Sequence, residues 1–427
     1  MNAPDAPAET PPDERGGVLC ARIPGPVRAV CDRLAGAGFE TAFVGGCVRD
    51  LVRDASVRDF DLATAAAPEA VLALFARAVP IGIRHGTVMV PTAAGPVDVT
   101  SFRAGPRLTD DLARRDFTIN AMALDPRTGR IVDPFGGRAD LASGRLAAVG
   151  DATARLEEDP LRALRAARLT ATLGLRPADD LVAAIGAMRR ALPSVARERV
   201  RQELTLLFTA PGDGAAAGLR LLRVTGIEAD LVGQPAPDAP EVIALLPPDL
   251  ALRLAAWLRG VRSGSVLARL RFPRRVVDRV VSLLAAHPVE RDVDGTSDTS
   301  VRRLMKRVGD EDLCALILLR EAELEVALPR SPEHVRDAHG RLAVLRAGLE
   351  RVRAAGAVAL QRLDLALDGR AVMAALGCAP GPEVGRALAW LADRVLEDPS
   401  QNTPDGLRAL LPQYGPSDHA SGAPIRR

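Results

Sequence analysis

Lysine and aromatic residues are scarce in this sequence. Lys306 is the only lysine among 56 Lys and Arg residues, and Phe, Trp and Tyr together make up 3% of the chain. The net charge of +2 is small, so overall electrostatics do not by themselves indicate a nucleic-acid-binding protein. The many arginines nevertheless supply rigid sets of donors that suit phosphates and base edges.

Long apolar segments and clusters of cysteine are absent as well. No apolar run reaches the roughly 20 residues that a membrane-spanning helix requires, and the N-terminus does not resemble a signal peptide. The five cysteines are scattered, without a Cys-x-x-Cys pair, which argues against zinc ligation and disulfides. We therefore expect a cytoplasmic protein with reduced thiols and no membrane association.

The length of the chain and the distribution of phenylalanine indicate several domains. A chain of 427 residues that is 48% hydrophobic can build roughly two to four cores. Seven of the nine phenylalanines precede residue 136, and the later part is rich in Ala, Leu, Arg and Val. We expect a disordered lead-in over residues 1–21, an α/β head over residues 22–150, and a long helical region after it.

The most informative stretch covers residues 43–64. A strand is predicted over residues 40–44; Gly45 and Gly46 follow it, and a helix is predicted over residues 47–53. Glycines between a strand and a helix let the backbone approach a phosphate closely, with the helix N-terminus directed at it.

Two aspartates flank a phenylalanine in the next predicted strand, residues 59–62. Alternate residues of a strand project to the same side, so Asp59 and Asp61 share one face while Phe60 is directed into the core. Two carboxylates on one face repel each other unless a cation lies between them, and a divalent metal is the usual solution. A solvated strand edge is the alternative interpretation of the Asp-x-Asp pair taken alone.

A third carboxylate lies in a predicted hairpin formed by residues 86–91 and 96–102. Asp98 alternates there with Val97 and Val99, so it is either a third acidic residue of the same site or an outward-facing strand residue.

A helix is predicted to follow Arg115. Asp116 and Asn120 would then lie one turn apart on one face of this helix, and Arg115, just before it, could reach an anion. The alternative is a capped surface helix with partly buried apolar residues.

These motifs, in this order, resemble the bacterial class II tRNA nucleotidyltransferases and poly(A) polymerases of the polymerase-beta superfamily. The similarity includes GGxVRD, DxD and RRDxxxN, continues through residues 133–137, and covers most of residues 40–205. It implies an α+β fold, in which a polymerase-beta-type nucleotidyltransferase head with a mixed β-sheet precedes an all-α neck, body and tail. The neck, which selects the nucleotide, would span residues 151–215, the body residues 216–330, and the tail, which binds tRNA, residues 331–427.

A second informative element begins near Asp159. This residue suits a helix N-cap, Pro160 suits the first helical position, and Gly174 suits the end of the helix. Three arginines at every third position form a basic stripe on this helix. In isolation such a stripe is also compatible with a solvated face; its residues are Arg162, Arg165 and Arg168.

An aspartate and an arginine at the start of this helix can distinguish between bases. Cytosine and adenine both present an amino donor beside a ring-nitrogen acceptor, which complements Asp159 as acceptor and Arg162 as donor. Uracil and guanine reverse that order and would leave buried polar groups unpaired.

The resemblance assigns further roles. In the family the Glu-Asp-x-x-Arg element is the protein template for the incoming nucleotide, and two Mg²⁺ ions flank its α-phosphate. Asp59 and Asp61 match the metal-binding and catalytic positions, and Asp98 is the candidate third catalytic carboxylate. CTP, ATP and the acceptor arm of tRNA would be the partners, with no obligate protein partner. The predicted nucleotide-binding residues are Gly45, Gly46, Arg49, Arg115, Asp116, Asn120, Asp159, Arg162, Arg165 and Arg168.

One departure from the family pattern leaves the product open. Only residues 104–113 separate Phe102-Arg103 from Arg114-Arg115, whereas CCA-adding relatives carry a longer flexible loop there and CC-adding relatives lack it. Full CCA addition and CC addition are therefore both compatible with the sequence. A poly(A) polymerase is disfavoured because a strongly basic C-terminal extension is missing, and an inactive RNA-binding paralogue because the acidic and basic site residues are intact.

Overall fold

The structure is a computed structural model of the chain. Within the part that it describes, no helix combines the length and the apolar character needed to cross a bilayer. The described residues are 14–82, 86–103, 105–291, 293–355 and 365–415.

The chain divides into two compact units. The first consists of residues 1–235 and 269–272, and the second of residues 236–268 and 273–427. The predicted head and neck thus belong to the first unit, whereas the predicted body, residues 216–330, is divided between the two. The finer boundaries between neck, body and tail stay predictions.

A seven-stranded mixed sheet forms the centre of the first unit and confirms the predicted α+β fold. Its strand order is β3-β4-β5-β2-β1-β6-β7, and β2 and β5 are its parallel pair, whereas its other neighbours are antiparallel. Two further short strands, β8 and β9, pair in parallel elsewhere in the unit. The strands are β1 Thr41–Val44, β2 Phe60–Thr64, β3 Val79–Gly82, β4 Thr87–Thr92, β5 Gly95–Ser101, β6 Ala123–Asp125, β7 Arg130–Val132, β8 Arg145–Leu146 and β9 Arg176–Pro177.

Phenylalanine and valine side chains fill the core behind the sheet. Phe43 of β1 and Phe60 of β2 meet edge to face, with ring centroids 5.8 Å apart, and both are buried. Val97 and Val99 of β5 are completely buried in the same core. Because side chains alternate along a strand, the residues between these positions face the opposite side of the sheet. The predicted inward direction of Phe60 is thereby confirmed.

Helices surround the sheet and continue the first unit. They are α1 Glu14–Ala21, α2 Gly25–Gly36, α3 Gly46–Val52, α4 Pro68–Leu74, α5 Leu108–Leu112, α6 Gly137–Ser143, α7 Ala152–Glu158, α8 Arg162–Leu173, α9 Asp179–Met188, α10 Arg197–Phe208, α11 Gly214–Val224 and α12 Ile227–Val232.

Residues 14–21 differ from the expected lead-in. They form α1, and Leu19 and Cys20 of this helix are buried in the core of the head. Burying these apolar side chains offsets the entropy of ordering the segment. Residues 1–13 of the predicted lead-in lie outside the described residues.

The second unit is helical throughout its described residues. Two helices joined by residues 377–381 begin at Gly369, and Gly377 closes the first of them in a left-handed conformation. The helices are α13 Ala239–Leu245, α14 Leu250–Trp257, α15 Ser263–Arg269 (which continues into the first unit), α16 Arg274–Ala285, α17 Asp298–Val308, α18 Asp310–Ala327, α19 Pro332–Ala354, α20 Gly369–Leu376, α21 Pro382–Glu397 and α22 Pro404–Leu410.

Candidate functional site

Three carboxylates meet on the face of the sheet opposite the Phe43–Phe60 core. Asp61 of β2 lies directly across from Asp98 of the parallel strand β5. Asp59 immediately precedes β2 and is exposed, whereas Asp61 and Asp98 are half-buried. The structure thus places Asp98 beside the Asp-x-Asp pair, the first of its two predicted alternatives.

The electrostatics of this cluster favour a cation. Burial raises the pKa of Asp61 to about 6; Arg115 opposes that shift, while Asp98 and Asp59 add to it. Burial and the charge of Asp59 also raise the pKa of Asp98. The negative charge gathered here is therefore incompletely compensated by the protein.

The carboxylates of Asp59 and Asp61 fit a divalent cation that is shared with a substrate. Within the described residues no protein hydrogen bond reaches either side chain, so their oxygens are available as ligands. No group of three His, Cys, Asp or Glu side chains in the described ranges is arranged to hold a metal ion by itself. Magnesium commonly binds through one or two carboxylates and takes its remaining ligands from water and substrate phosphates.

Gly45 allows an arginine to approach the strand-to-helix turn. It precedes α3 with φ +75°, a conformation that glycine adopts without strain. A Cβ atom at this position would lie only 2.7 Å from Nη1 of Arg115. Arg115 is held by Asp111, whose Oδ2 accepts from its Nε at 3.3 Å and from its Nη2 at 3.2 Å. The glycine thus gives the guanidinium of Arg115 its place beside the turn.

A chain of two hydrogen bonds and one ion pair links α3 to α8. Arg49 Nη1 donates to Oδ1 of Asn120 at 2.8 Å, and Asn120 Nδ2 donates to Oδ1 of Asp116 at 3.1 Å. Asp116 Oδ2 in turn lies 3.1 Å from Nη1 of Arg165. Arg49 is also paired with Asp50 at 2.9 Å. Four predicted nucleotide-binding side chains, from three separate segments, therefore form one network.

Asp116 is the buried centre of that network. Burial by itself would raise its pKa, but Arg165, together with hydrogen bonds from Asn120 and the Phe117 amide, lowers the pKa below its ordinary value. Asp116 therefore stays ionised, and its charge raises the pKa of Arg165.

The prediction of a helix that carries Asp116 and Asn120 is wrong. Only Thr118–Asn120 form a short 3-10 turn, and Phe117 is extended and bridges to Ala148. The Asp116 side chain accepts from the Phe117 amide at 2.8 Å, and this local hydrogen bond competes with the helical one. Asp116 and Asn120 do meet, but across this turn and not along a helix face.

The predicted N-cap at Asp159 is wrong as well. Helix α8 begins at Arg162 and has Leu161 at its N-cap position. Asp159 ends α7 in an extended conformation, and its Oδ1 accepts from the Leu161 amide at 3.2 Å. Asp159 therefore stabilises the bend between two helices. The predicted end at Gly174 is confirmed, because this glycine closes α8 with a left-handed backbone.

Both predicted base-selecting residues are held by partners that the sequence analysis did not name. Asp159 Oδ2 lies 2.7 Å from Nη2 of Arg199, and Arg162 Nη1 lies 2.9 Å from Oε2 of Glu158. Glu158 also pairs with Arg114 at 2.9 Å. The four-residue spacing of Glu158 and Arg162 was a visible signal for their contact. No comparable signal marks Arg199, 40 residues from Asp159.

Two arginines of the basic stripe on α8 pair with a carboxylate of a neighbouring helix, although Arg165 stays 46% exposed. Glu203 of α10 is buried, and its carboxylate lies 2.6 Å from Nε of Arg168 and 3.9 Å from Nε of Arg165. Glu203 is thus another residue that the sequence analysis missed. It holds two of the predicted nucleotide-binding arginines in place.

Comparisons with known proteins agree with this geometry. The poly A polymerase head domain family matches residues 41–147. The CCA-adding enzyme of Geobacillus stearothermophilus is 35% identical over 280 residues, which are 60% of this chain and 69% of that protein.

Two other relatives are more similar over shorter stretches. The CCA-adding enzyme of Leuconostoc citreum is 41% identical over 218 residues (48% of this chain, 52% of that protein). The CC-adding tRNA nucleotidyltransferase of Shouchella clausii is 43% identical over 200 residues (47% and 52%). The chain spans about half the length of these two relatives.

Solved structures share the fold along nearly the whole chain. The Bacillus stearothermophilus CCA-adding enzyme in complex with CTP superposes with a TM-score of 0.73 at 29% identity, covering 95% of this chain and 98% of that one. The Thermotoga maritima CCA-adding enzyme complexed with tRNA superposes with a TM-score of 0.67 at 19% identity, covering 93% and 97%, a likeness of fold alone. Given 35% identity across more than two thirds of a CCA-adding enzyme, this chain belongs to the CCA-adding enzyme family of tRNA nucleotidyltransferases.

Proposed function

We propose that the protein is a template-independent tRNA nucleotidyltransferase that adds cytidylate, and in the complete reaction adenylate, to the 3′ end of tRNA. One observation carries this proposal. The chain of two hydrogen bonds and one ion pair from Arg49 to Arg165 connects the glycine turn beside Asp61 to the helix of Arg162. One network thus joins α3, which follows the phosphate-binding turn, to α8, which carries a base-selecting residue.

Base selection rests on Asp159 and Arg162. Asp159 accepts a hydrogen bond from the exocyclic amino group of cytosine or adenine, and Arg162 donates to the neighbouring ring nitrogen. Their contacts with Arg199 and Glu158 orient both side chains before the nucleotide arrives. Orienting groups in advance increases discrimination, because a mismatched base then leaves buried donors or acceptors unpaired.

The triphosphate is bound near Gly45 and Gly46. Arg49 and Arg115 approach this turn from two sides while Asp50 and Asp111 fix their guanidinium groups. Arg165 and Arg168 add positive charge from α8. These residues position the triphosphate and stabilise charge that develops on it, which is the main form of catalysis available to nucleotidyl transfer.

Asp59 and Asp61 hold the catalytic metal, for which Mg²⁺ is our proposal. A divalent cation, when bound, supplies Lewis acidity that lowers the pKa of the RNA 3′-hydroxyl and stabilises the pyrophosphate leaving group. The role of Asp98 is to keep a further negative charge beside Asp61 at the reacting centre.

The helical region after the neck binds the acceptor arm of tRNA, through shape and phosphate contacts. This substrate places the protein in the cytoplasm. No obligate protein partner is part of the proposal.

Addition of CC alone is the second candidate, and the segment between Phe102 and Arg114 favours it. This segment is short, and its helix α5 buries Leu108 and Leu112 in a small core with Ala42 and Val44. Because these residues are packed, few residues of the segment remain for a long flexible loop. Such a loop would be needed to change the selectivity of the nucleotide site from C to A. The relative from Shouchella clausii is named a CC-adding tRNA nucleotidyltransferase.

The test is to incubate the protein with tRNA that lacks its 3′ end and with each labelled nucleoside triphosphate. Addition of C, C and A supports the full reaction, and two C residues without A support the second candidate. Long A tails would indicate a poly(A) polymerase. The absence of any addition would contradict the proposal and favour an RNA-binding paralogue.

A further inference from the structure

Arg199 contacts the predicted base acceptor with both terminal nitrogens. Its Nη2 lies 2.7 Å from Oδ2 of Asp159, and its Nη1 donates to Oδ1 at 3.4 Å. Oδ1 also accepts from the Leu161 amide at 3.2 Å. A two-point contact between a guanidinium and a carboxylate fixes the plane of the carboxylate as well as its position.

Helix α10, which carries Arg199, is anchored without this contact. Val200, Leu204 and Phe208 are buried on its inner side, and Glu203, one turn after Arg199, pairs with Arg168. The Arg199 side chain itself is 51% exposed, and exposed ion pairs contribute little to folding stability. The fold therefore does not need Arg199.

The position of Asp159 at a bend explains what the ion pair with Arg199 can do. Asp159 lies between α7 and α8 in an extended conformation, where the surrounding helices do not restrict its side chain as a helix interior would. A carboxylate that selects a base must keep its acceptor directions constant, since a carboxylate that rotates can also accommodate the wrong base.

We infer that Arg199 is a positioning residue for base selection, acting through Asp159 from outside the nucleotide-binding helix. The inference rests on the proposed function. Arg199 fixes the carboxylate plane so that the amino group of cytosine or adenine finds its acceptor aligned and the carbonyl of uracil does not.

The test compares Arg199→Ala, Arg199→Lys and Arg197→Ala, each assayed for addition of a single C or U to tRNA lacking its 3′ end. Arg197 is a matched control, because it lies on the same helix and has no ion pair among the described residues. For Arg199→Ala we expect the ratio of kcat/KM for CTP over UTP to fall about tenfold, the size of one well-aligned hydrogen bond. Arg199→Lys should restore part of this ratio, and Arg197→Ala should leave it unchanged.

A double-mutant cycle with Asp159→Asn locates the effect. If Arg199 acts through Asp159, Arg199→Ala causes no further loss of discrimination in the Asp159→Asn background. An equal loss in both backgrounds, or an unchanged CTP/UTP ratio in a folded Arg199→Ala protein, overturns the inference while the proposed function stands. A wild-type protein that adds no nucleotide overturns both.

Discussion

Asp61 is a residue whose ionisation the folded protein opposes. Its pKa is raised to about 6 by burial and by Asp98 and Asp59, against the pull of Arg115. The pKa of Asp61 in the folded protein therefore lies above its ordinary value of 3.8. Protonated Asp61 therefore contributes to the stability of the folded protein. This contribution is fully present below pH 3.8 and is lost as the pH rises through about 6.

Cation binding should therefore strengthen as the pH rises. Below pH 6 protons compete with the cation for Asp61, so we expect Mg²⁺ to raise the Tm little at pH 5 and clearly at pH 7.5. Thermal unfolding with and without Mg²⁺ at both pH values measures this difference. The exposed Asp54, paired with Arg22 away from the cluster, provides the control variant Asp54→Asn, which should keep the pH dependence. An equal Mg²⁺ effect at both pH values would contradict the prediction.

Asp61→Asn should stabilise the metal-free protein while it abolishes activity. The amide has similar shape but carries no charge, so near pH 7 the variant avoids the ionisation of a group whose pKa is raised. We expect the free energy of unfolding to increase by about 1–3 kcal/mol. We also expect nucleotide addition to fall by about three orders of magnitude or more. Urea denaturation and single-turnover addition measure the two effects, and a destabilised variant would argue against charge repulsion at this position.

Gly45→Ala separates backbone strain from a blocked contact. The left-handed backbone alone should destabilise the variant by about 1–2 kcal/mol. The new Cβ would also displace the Arg115 guanidinium, so we expect KM for CTP to rise as well. Gly38→Ala is the control, because Gly38 has φ +92° and no atom within 4 Å of its Cβ position. The Gly38→Ala protein should be destabilised to a similar extent and keep its KM for CTP. A Gly45→Ala protein with a normal KM for CTP would exclude the proposed role of Arg115.

At the scale of elements, one buried carboxylate contributes to the docking of α10 against α8. Glu203→Gln keeps the shape of the side chain but removes the charge partner of Arg168, which is 18% exposed, and the more distant of the two partners of Arg165. We expect a loss of about 1–3 kcal/mol in the free energy of unfolding, measured by urea denaturation. Glu198→Gln on the same helix is the control, because Glu198 is 58% exposed and lies 4.0 Å from its partner Arg271. Equal effects of both substitutions would show that Glu203 is not a specific anchor.

Elements defined by local patterns were predictable, and those defined by distant partners were not. The hairpin of β4 and β5, the glycine turn before α3 and the shared face of Asp59 and Asp61 follow from neighbouring residues alone. The helix predicted after Arg115 does not form because the Asp116 side chain accepts from the next backbone amide.

The candidate site shows the same division. Its acidic and basic residues could be named from their motifs, yet Arg199 and Glu203 could not. These side chains reach residues 40 and 35 positions away in the sequence, and only the packing of α10 on α8 brings them together. A periodic pattern predicts which side of a helix is polar, but it does not identify the side chain on the facing helix.

At the scale of the whole molecule, the second unit contains its own buried charge cluster. Arg320 pairs with Glu290 at 2.7 Å and with Glu323 at 3.2 Å, and all three side chains are nearly buried. Arg320→Ala removes the ion-pair partner of buried Glu290, while Glu323 keeps Arg259 and His287, and we expect a loss of about 3–5 kcal/mol in the stability of this unit. Arg330→Ala, at an exposed position, is the control.

Calorimetry of the full chain tests whether the two units unfold separately. Arg320→Ala should lower the transition of the second unit and leave the transition of the first, so CTP binding should persist at temperatures where addition to tRNA is lost. A single transition that moves as a whole would show that the chain unfolds cooperatively.

The ion pairs of the candidate nucleotide-binding arginines affect how a ligand can bind. Arg49, Arg115, Arg162 and Arg165 each contact a carboxylate of their own protein. Under the proposed function, an incoming triphosphate must therefore displace Asp or Glu side chains from these arginines. A polyanion such as heparin cannot form the base contacts. We therefore expect it to bind weakly at this site, even though the chain contains 56 Lys and Arg residues.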